Sequence, residues 1–121
     1  MIRGIIQQVI EGVIKRFSAS GRPGETIADR EYFQHYGFTS RPKPGAEIIV
    51  IREGNHIIAI ASDDRRYRIA LEEGEAALYD DLGQKVHLTR TGIEAVSPLK
   101  ATVTAPEVEV IASTKITMTT P

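Results

Sequence analysis

The chain has 121 residues and a mass of 13.3 kDa, room for one core and at most an appendage. Fifteen Lys and Arg against sixteen Asp and Glu give a formal charge of −1, which withholds the broad positive field of a nucleic-acid binder. The absence of Cys excludes disulfide scaffolds, thiolate zinc sites and Cys nucleophiles, and no apolar run reaches the roughly 18 to 20 residues of a membrane helix.

Gln7, Gln8 and Glu11 interrupt the apolar N-terminal stretch, so no signal peptide is expected and synthesis in a cytoplasm is. Ile2, Ile5, Ile6, Val9, Ile10, Val13, Ile14 and Phe17 recur at the spacing of an amphipathic helix. Against a helix stand the β-branched residues and the internal Gly4 and Gly12. Both readings of residues 2–17 stay open. The favoured one is a hairpin of Ile5–Ile10 and Val13–Ser18 turning at Glu11-Gly12.

Ser20-Gly21-Arg22-Pro23-Gly24 is turn chemistry, and the polar stretch from Glu25 to His35 reads as a long loop or an irregular strand. Ile48-Ile49-Val50-Ile51 has too little alternation for a half-exposed strand and predicts one buried on both sides. With the turn at Gly54-Asn55, residues 46–52 and 56–62 form a hairpin. Further strands follow at Glu75–Tyr79 and Lys85–Thr89, separated by the turn Asp80-Asp81-Leu82-Gly83. Five to six short strands with regular turns and no long helix predict an all-β fold, a small barrel.

From Lys100 to Pro121 the composition changes: six Thr, three Val and two Ile make half the segment β-branched. Lys100-Ala101-Thr102-Val103-Thr104-Ala105-Pro106 returns 15 residues later as Lys115-Ile116-Thr117-Met118-Thr119-Thr120-Pro121, a repeat that suggests a fibrous architecture. Two or three such strands cannot cover their own apolar face or satisfy their own edges. A homo-oligomer removes the difficulty if each chain contributes to a shared prism with Val103, Val108, Val110, Ile116 and Met118 inside.

Residues that could carry chemistry are sparse. His35, His56 and His87 form no i, i+2 or i, i+4 pair, and Asp63-Asp64 and Asp80-Asp81 adjoin turns, where Asp bonds its own backbone. Ser18, Ser20 and Ser40 lack a nucleophile elbow, and the glycines form no phosphate-binding loop. No enzyme activity is expected. Arg65, Arg66, Tyr67 and Arg68 could stack and clamp a nucleic-acid strand, but Asp63 and Asp64 offset the charge; the six residues read rather as a subunit interface.

The strings Tyr36-Gly37-Phe38-Thr39-Ser40-Arg41-Pro42-Lys43-Pro44-Gly45-Ala46-Glu47, Asp63-Asp64-Arg65-Arg66-Tyr67-Arg68 and Gly74–Leu88 resemble the baseplate central spike proteins of Mu-like contractile-tailed bacteriophages, the baseplate assembly protein V family. The likeness runs in order over about residues 3 to 93. It implies an OB-fold-like barrel over 1–95, followed over 96–121 by the start of a trimeric, three-stranded intertwined β-helix. It further implies a non-enzymatic homotrimer in the virion's tail baseplate, assembled in the host cytoplasm. There the barrel meets the baseplate hub protein and the rod pierces the host outer membrane during entry. The cluster Asp63, Asp64, Arg65, Arg66, Tyr67 and Arg68 would contact a subunit or the hub, and no nucleic acid is expected as a partner. Members of this group often end in a His-x-His apex binding iron. No His follows His87, so no metal ligand or cofactor is assigned here, and an iron site is expected only if the natural chain extends further. The alternative is a monomeric OB-type module that binds single-stranded nucleic acid or oligosaccharide.

Overall fold

A computed structural model describes residues 1–12 and 14–121. Among them there is no helix; the elements are β1 Ile2–Ile10, β2 Arg16–Ser20, β3 Thr26–Tyr32, β4 Glu47–Glu53, β5 His56–Asp63, β6 Ala76–Tyr79, β7 Lys85–Thr89 and β8 Gly92–Val96. The chain divides into two compact units, Met1–Glu73 and Gly74–Pro121.

In the first unit β1 to β5 close a barrel in the order β1-β2-β3-β5-β4, with β4 returning to β1. All pairings are antiparallel except β3 with β5, which meet in parallel at Glu31↔Ile58 and Tyr32↔Ala59. This is the expected all-β barrel, consistent with a small OB-type fold. Phe17, Ile6, Ile48 and Val50 are fully buried at its centre, each removing apolar surface worth about 1.5–3 kcal/mol from water. Phe17 meets the Tyr32 ring edge-on at 6.5 Å, and the Tyr32 hydroxyl bonds Ser62 Oγ, which satisfies the one polar atom of that ring.

The N-terminal segment is a hairpin and not a helix, with β1 paired to β2 from Ile5↔Ser20 to Ile10↔Arg16, but the second strand runs Arg16–Ser20 instead of the expected Val13–Ser18, so Ile14 and Lys15 belong to the connection. Val13, expected to open the second strand, lies outside the described residues. The helical spacing has a physical cause. A β-bulge between Ile6 and Gln8 turns Gln7 and Gln8 both outward, so the buried positions run Ile2, Gly4, Ile6, Val9. At Gly4 the backbones press together, and a Cβ there would stand 2.6 Å from the Ser20 carbonyl oxygen.

One expectation is resolved and one is corrected. The polar stretch after Glu25 is the irregular strand and not the long loop: it forms β3, buried at Ile27 and Tyr32. A bulge between these residues, with Asp29 at φ 52° and its N–H donating to Ser18 Oγ at 3.2 Å, breaks the alternation that would have revealed it. The run Ile48–Ile51 is not buried on both sides: Ile48 and Val50 face the core, Ile49 is half-buried and Ile51 is half exposed. The hairpin itself is as expected, pairing Glu47↔Asp63 through Glu53↔His56.

In the second unit β6, β7 and β8 form their own antiparallel meander, separate from the barrel sheet. Asp80 shapes its first turn, its Oδ1 accepting the N–H groups of Leu82 and Gln84 at 2.9 Å each, and Oδ2 accepting Gln84 Nε2 at 2.6 Å. These bonds, that from Gln84 Nε2 foremost, hold the Asp80 carboxyl below the ordinary aspartate range. Residues 97–121 form no strand in the single chain.

Candidate functional site

The six residues Asp63 to Arg68 leave the end of β5 and cross the barrel surface as a turn closed by Tyr67 N–H to Asp64 O at 3.1 Å. Each Arg has a carboxylate. Arg65 Nε reaches Glu47 Oε1 at 3.0 Å, Arg66 Nη2 reaches Asp64 Oδ2 at 2.8 Å, and Arg68 pairs with Asp63. Glu47 also takes Arg3 from β1, so one carboxylate ties the turn to two barrel strands. The Arg66 guanidinium donates to Pro44 O at 3.1 Å and covers Gly45, whose φ of +99° and lack of Cβ admit it. It lies 5.3 Å from the Tyr67 ring centroid, while Lys43 Nζ approaches the same ring at 5.7 Å. Hydrogen bonds from Arg66 hold the Asp64 carboxyl below its ordinary range. The predicted cluster is thus an internally matched lattice of exposed guanidinium groups on half-buried carboxylates around one aromatic ring, with little unpaired charge left to grip a polyanion.

The predicted oligomer-core positions stand in water in the single chain. Val103, Val108, Val110, Ile116 and Met118 are between 53% and 88% exposed. They do not stand alone. Register places Ala76, Leu78, Val86, Leu88, Ile93 and Ala95 on one face of the β6-β7-β8 sheet, all apolar and all exposed. The opposite face is mixed, carrying Ala77, Tyr79, Lys85, His87, Thr89, Glu94 and Val96, and there Glu75 accepts from His87 Nε2 at 3.1 Å and from the Arg90 N–H at 2.9 Å. This apolar face was missed from sequence, although Val86 and Leu88 alternate with Lys85, His87 and Thr89, and that alternation was the signal.

His35 lies in the loop after β3, His56 opens β5 and His87 sits in β7; among the described residues no three His, Asp or Glu are placed to hold a metal ion. Asp63-Asp64 and Asp80-Asp81 each stand beside a turn. A groove of about 550 Å³ between β1, β2 and residues 41–44 has one cation in its lining, Arg41, whose Nε donates to Val9 O at 3.0 Å, and no aromatic platform.

Residues 3–66, spanning most of the barrel unit, match the family model Bacteriophage Mu Gp45, N-terminal. The baseplate puncturing device gp45 of Escherichia phage Mu is 37% identical over 95 residues, 75% of this chain and 45% of the relative. The Mu-like prophage FluMu protein gp45 of Haemophilus influenzae is 38% identical over 82 residues, 65% of this chain and 45% of the relative. The chain therefore spans about half the length of these relatives. No solved structure matches it. With just over half of its residues under the family model, the chain belongs to the Bacteriophage Mu Gp45, N-terminal family of Mu-like baseplate spike proteins.

Proposed function

We infer that the chain is a structural, non-enzymatic component of a phage tail baseplate: a homotrimeric central spike, joined to the tail hub through its barrel and driven through the host outer membrane by tail contraction. Its place is the virion, after assembly in the host cytoplasm. The observation that carries this reading is the unbroken apolar face of the β6-β7-β8 sheet, followed by a tail whose Val103, Val108, Val110, Ile116 and Met118 are also uncovered. A monomer would expose both to water; three copies winding 96–121 into a closed β-helix would bury them and leave no free edge. Such a rod resists unfolding because its chains cannot separate singly. The name of the phage Mu relative, a baseplate puncturing device, supports the piercing role. The Asp63–Arg68 lattice is the proposed contact with a neighbouring subunit or the hub. Binding of single-stranded nucleic acid fits less well, since Arg65, Arg66 and Arg68 already hold carboxylates.

An unheated detergent gel of the wild type beside Leu88→Asp tests the proposal. The wild type should run as a resistant oligomer and the variant as a monomer, because each copy would add a charge to one apolar layer. Equal migration of both as oligomers would remove the apolar face from the interface, and a wild type that runs as a monomer even after chemical cross-linking would refute the oligomeric spike.

A further inference from the structure

The connection after β3 displays Phe33, Tyr36 and Phe38 to solvent, yet it is tightly held. Lys15, its side chain only 10% exposed, donates to Gln34 Oε1 at 3.2 Å, Thr39 Oγ1 at 2.6 Å and Ser40 O at 2.6 Å, and pairs with Glu11 at 3.0 Å. Gln34 and Ser40 exchange three further bonds of 3.0 Å, and Phe33 N–H is anchored on Ala59 O at 2.9 Å. These bonds fix the wall of a groove of about 310 Å³ that Ile14, Phe33 and Phe38 line with apolar surface, Phe33 being 63% exposed. Glu31 also lines it, half-buried and without an ion-pair partner among the described residues. Arg16, opposite Glu31 in the β2–β3 pairing, turns its guanidinium to Asp29 at 3.5 Å. Since Lys15 neutralises Glu11, Glu31 sets the charge of the groove.

The geometry points to this groove as a docking site for a segment of a partner protein that inserts a Lys or Arg side chain between apolar neighbours. The aliphatic stem would lie along Phe33, Phe38 and Ile14, and the cationic tip would reach Glu31, with the two rings near enough to add to the attraction. A loop already held by hydrogen bonds needs little further ordering on binding. The site lies on the barrel and does not depend on the oligomeric reading of the second unit.

Amide shift mapping of the full chain by NMR, titrated with blocked leucine–arginine–leucine and leucine–glutamate–leucine tripeptides, tests this. The arginine peptide should shift residues 11–15 and 31–39 saturably, and the glutamate peptide should bind at least about tenfold more weakly. Glu31→Gln should erase that difference, while Phe33→Ala, at an exposed position that the fold does not need, should weaken both. Equal binding of the two peptides, or no saturable shift at these amides, would overturn the proposal. So would shifts there that grow with protein concentration alone, which would assign the groove to a second copy.

Discussion

Phe17 and Gly4 set the tolerance of the barrel at the level of single residues. Phe17 is fully buried, so Phe17→Ala should cost about 3–5 kcal/mol, read from the urea midpoint. Gly4→Ala should cost about 1–3 kcal/mol although it adds one carbon, because that carbon would meet the Ser20 backbone, which cannot yield as a side chain could. An unchanged melting temperature in Gly4→Ala would show that β1 and β2 are free to separate there. Asp64 supplies a pH dependence whose sign is fixed. Its carboxyl titrates below the ordinary range because Arg66 bonds the ionised form, so its stabilisation is complete above the unfolded-state value of about 4 and is lost as pH falls through the lower folded-state value. Thermal melts of Asp64→Asn should differ from the wild type at pH 7 and converge with it under strong acid. The difference should be small, since the pair is partly exposed.

Strands were legible where alternation was intact and obscure where a bulge broke it. The β4–β5 hairpin could be read directly, because its Ile and Val residues end in the turn at Gly54-Asn55. In β1 the bulge at Ile6–Gln8 advances the phase by one residue and imitates a helix, and in β3 the bulge at Asp29 spaces Ile27 from Tyr32 by five. The Asp63–Arg68 cluster was legible as residues, but its partners depend on pairing: the β4–β5 register sets Glu47 opposite Asp63, and closure of the barrel through β1 and β4 adds Arg3. The groove at Phe33 and Phe38 was unreadable for the same reason, since Lys15 and Gln34 meet only through the β2–β3 pairing. Deleting the Lys15 amine in Lys15→Met should therefore loosen residues 34–40 selectively. Hydrogen exchange should rise at Ser40 and stay unchanged across β4 and β5; uniform protection would show that the network does not hold the loop.

At the scale of the whole molecule, the two units pose opposite problems. The barrel encloses an apolar core and closes its own edges, whereas the second unit presents a three-stranded sheet with one wholly apolar face and a β-branched tail without strands. The 15-residue repeat and the Thr/Val content made that imbalance visible in the sequence, because no arrangement of so short a tail alone could cover it. Association of identical chains, as proposed above, would cover both. The direct test is the absolute mass of the purified chain by light scattering after size exclusion. A homotrimer gives three times 13.3 kDa, held at high dilution; a single 13.3 kDa species at every concentration would refute the shared core.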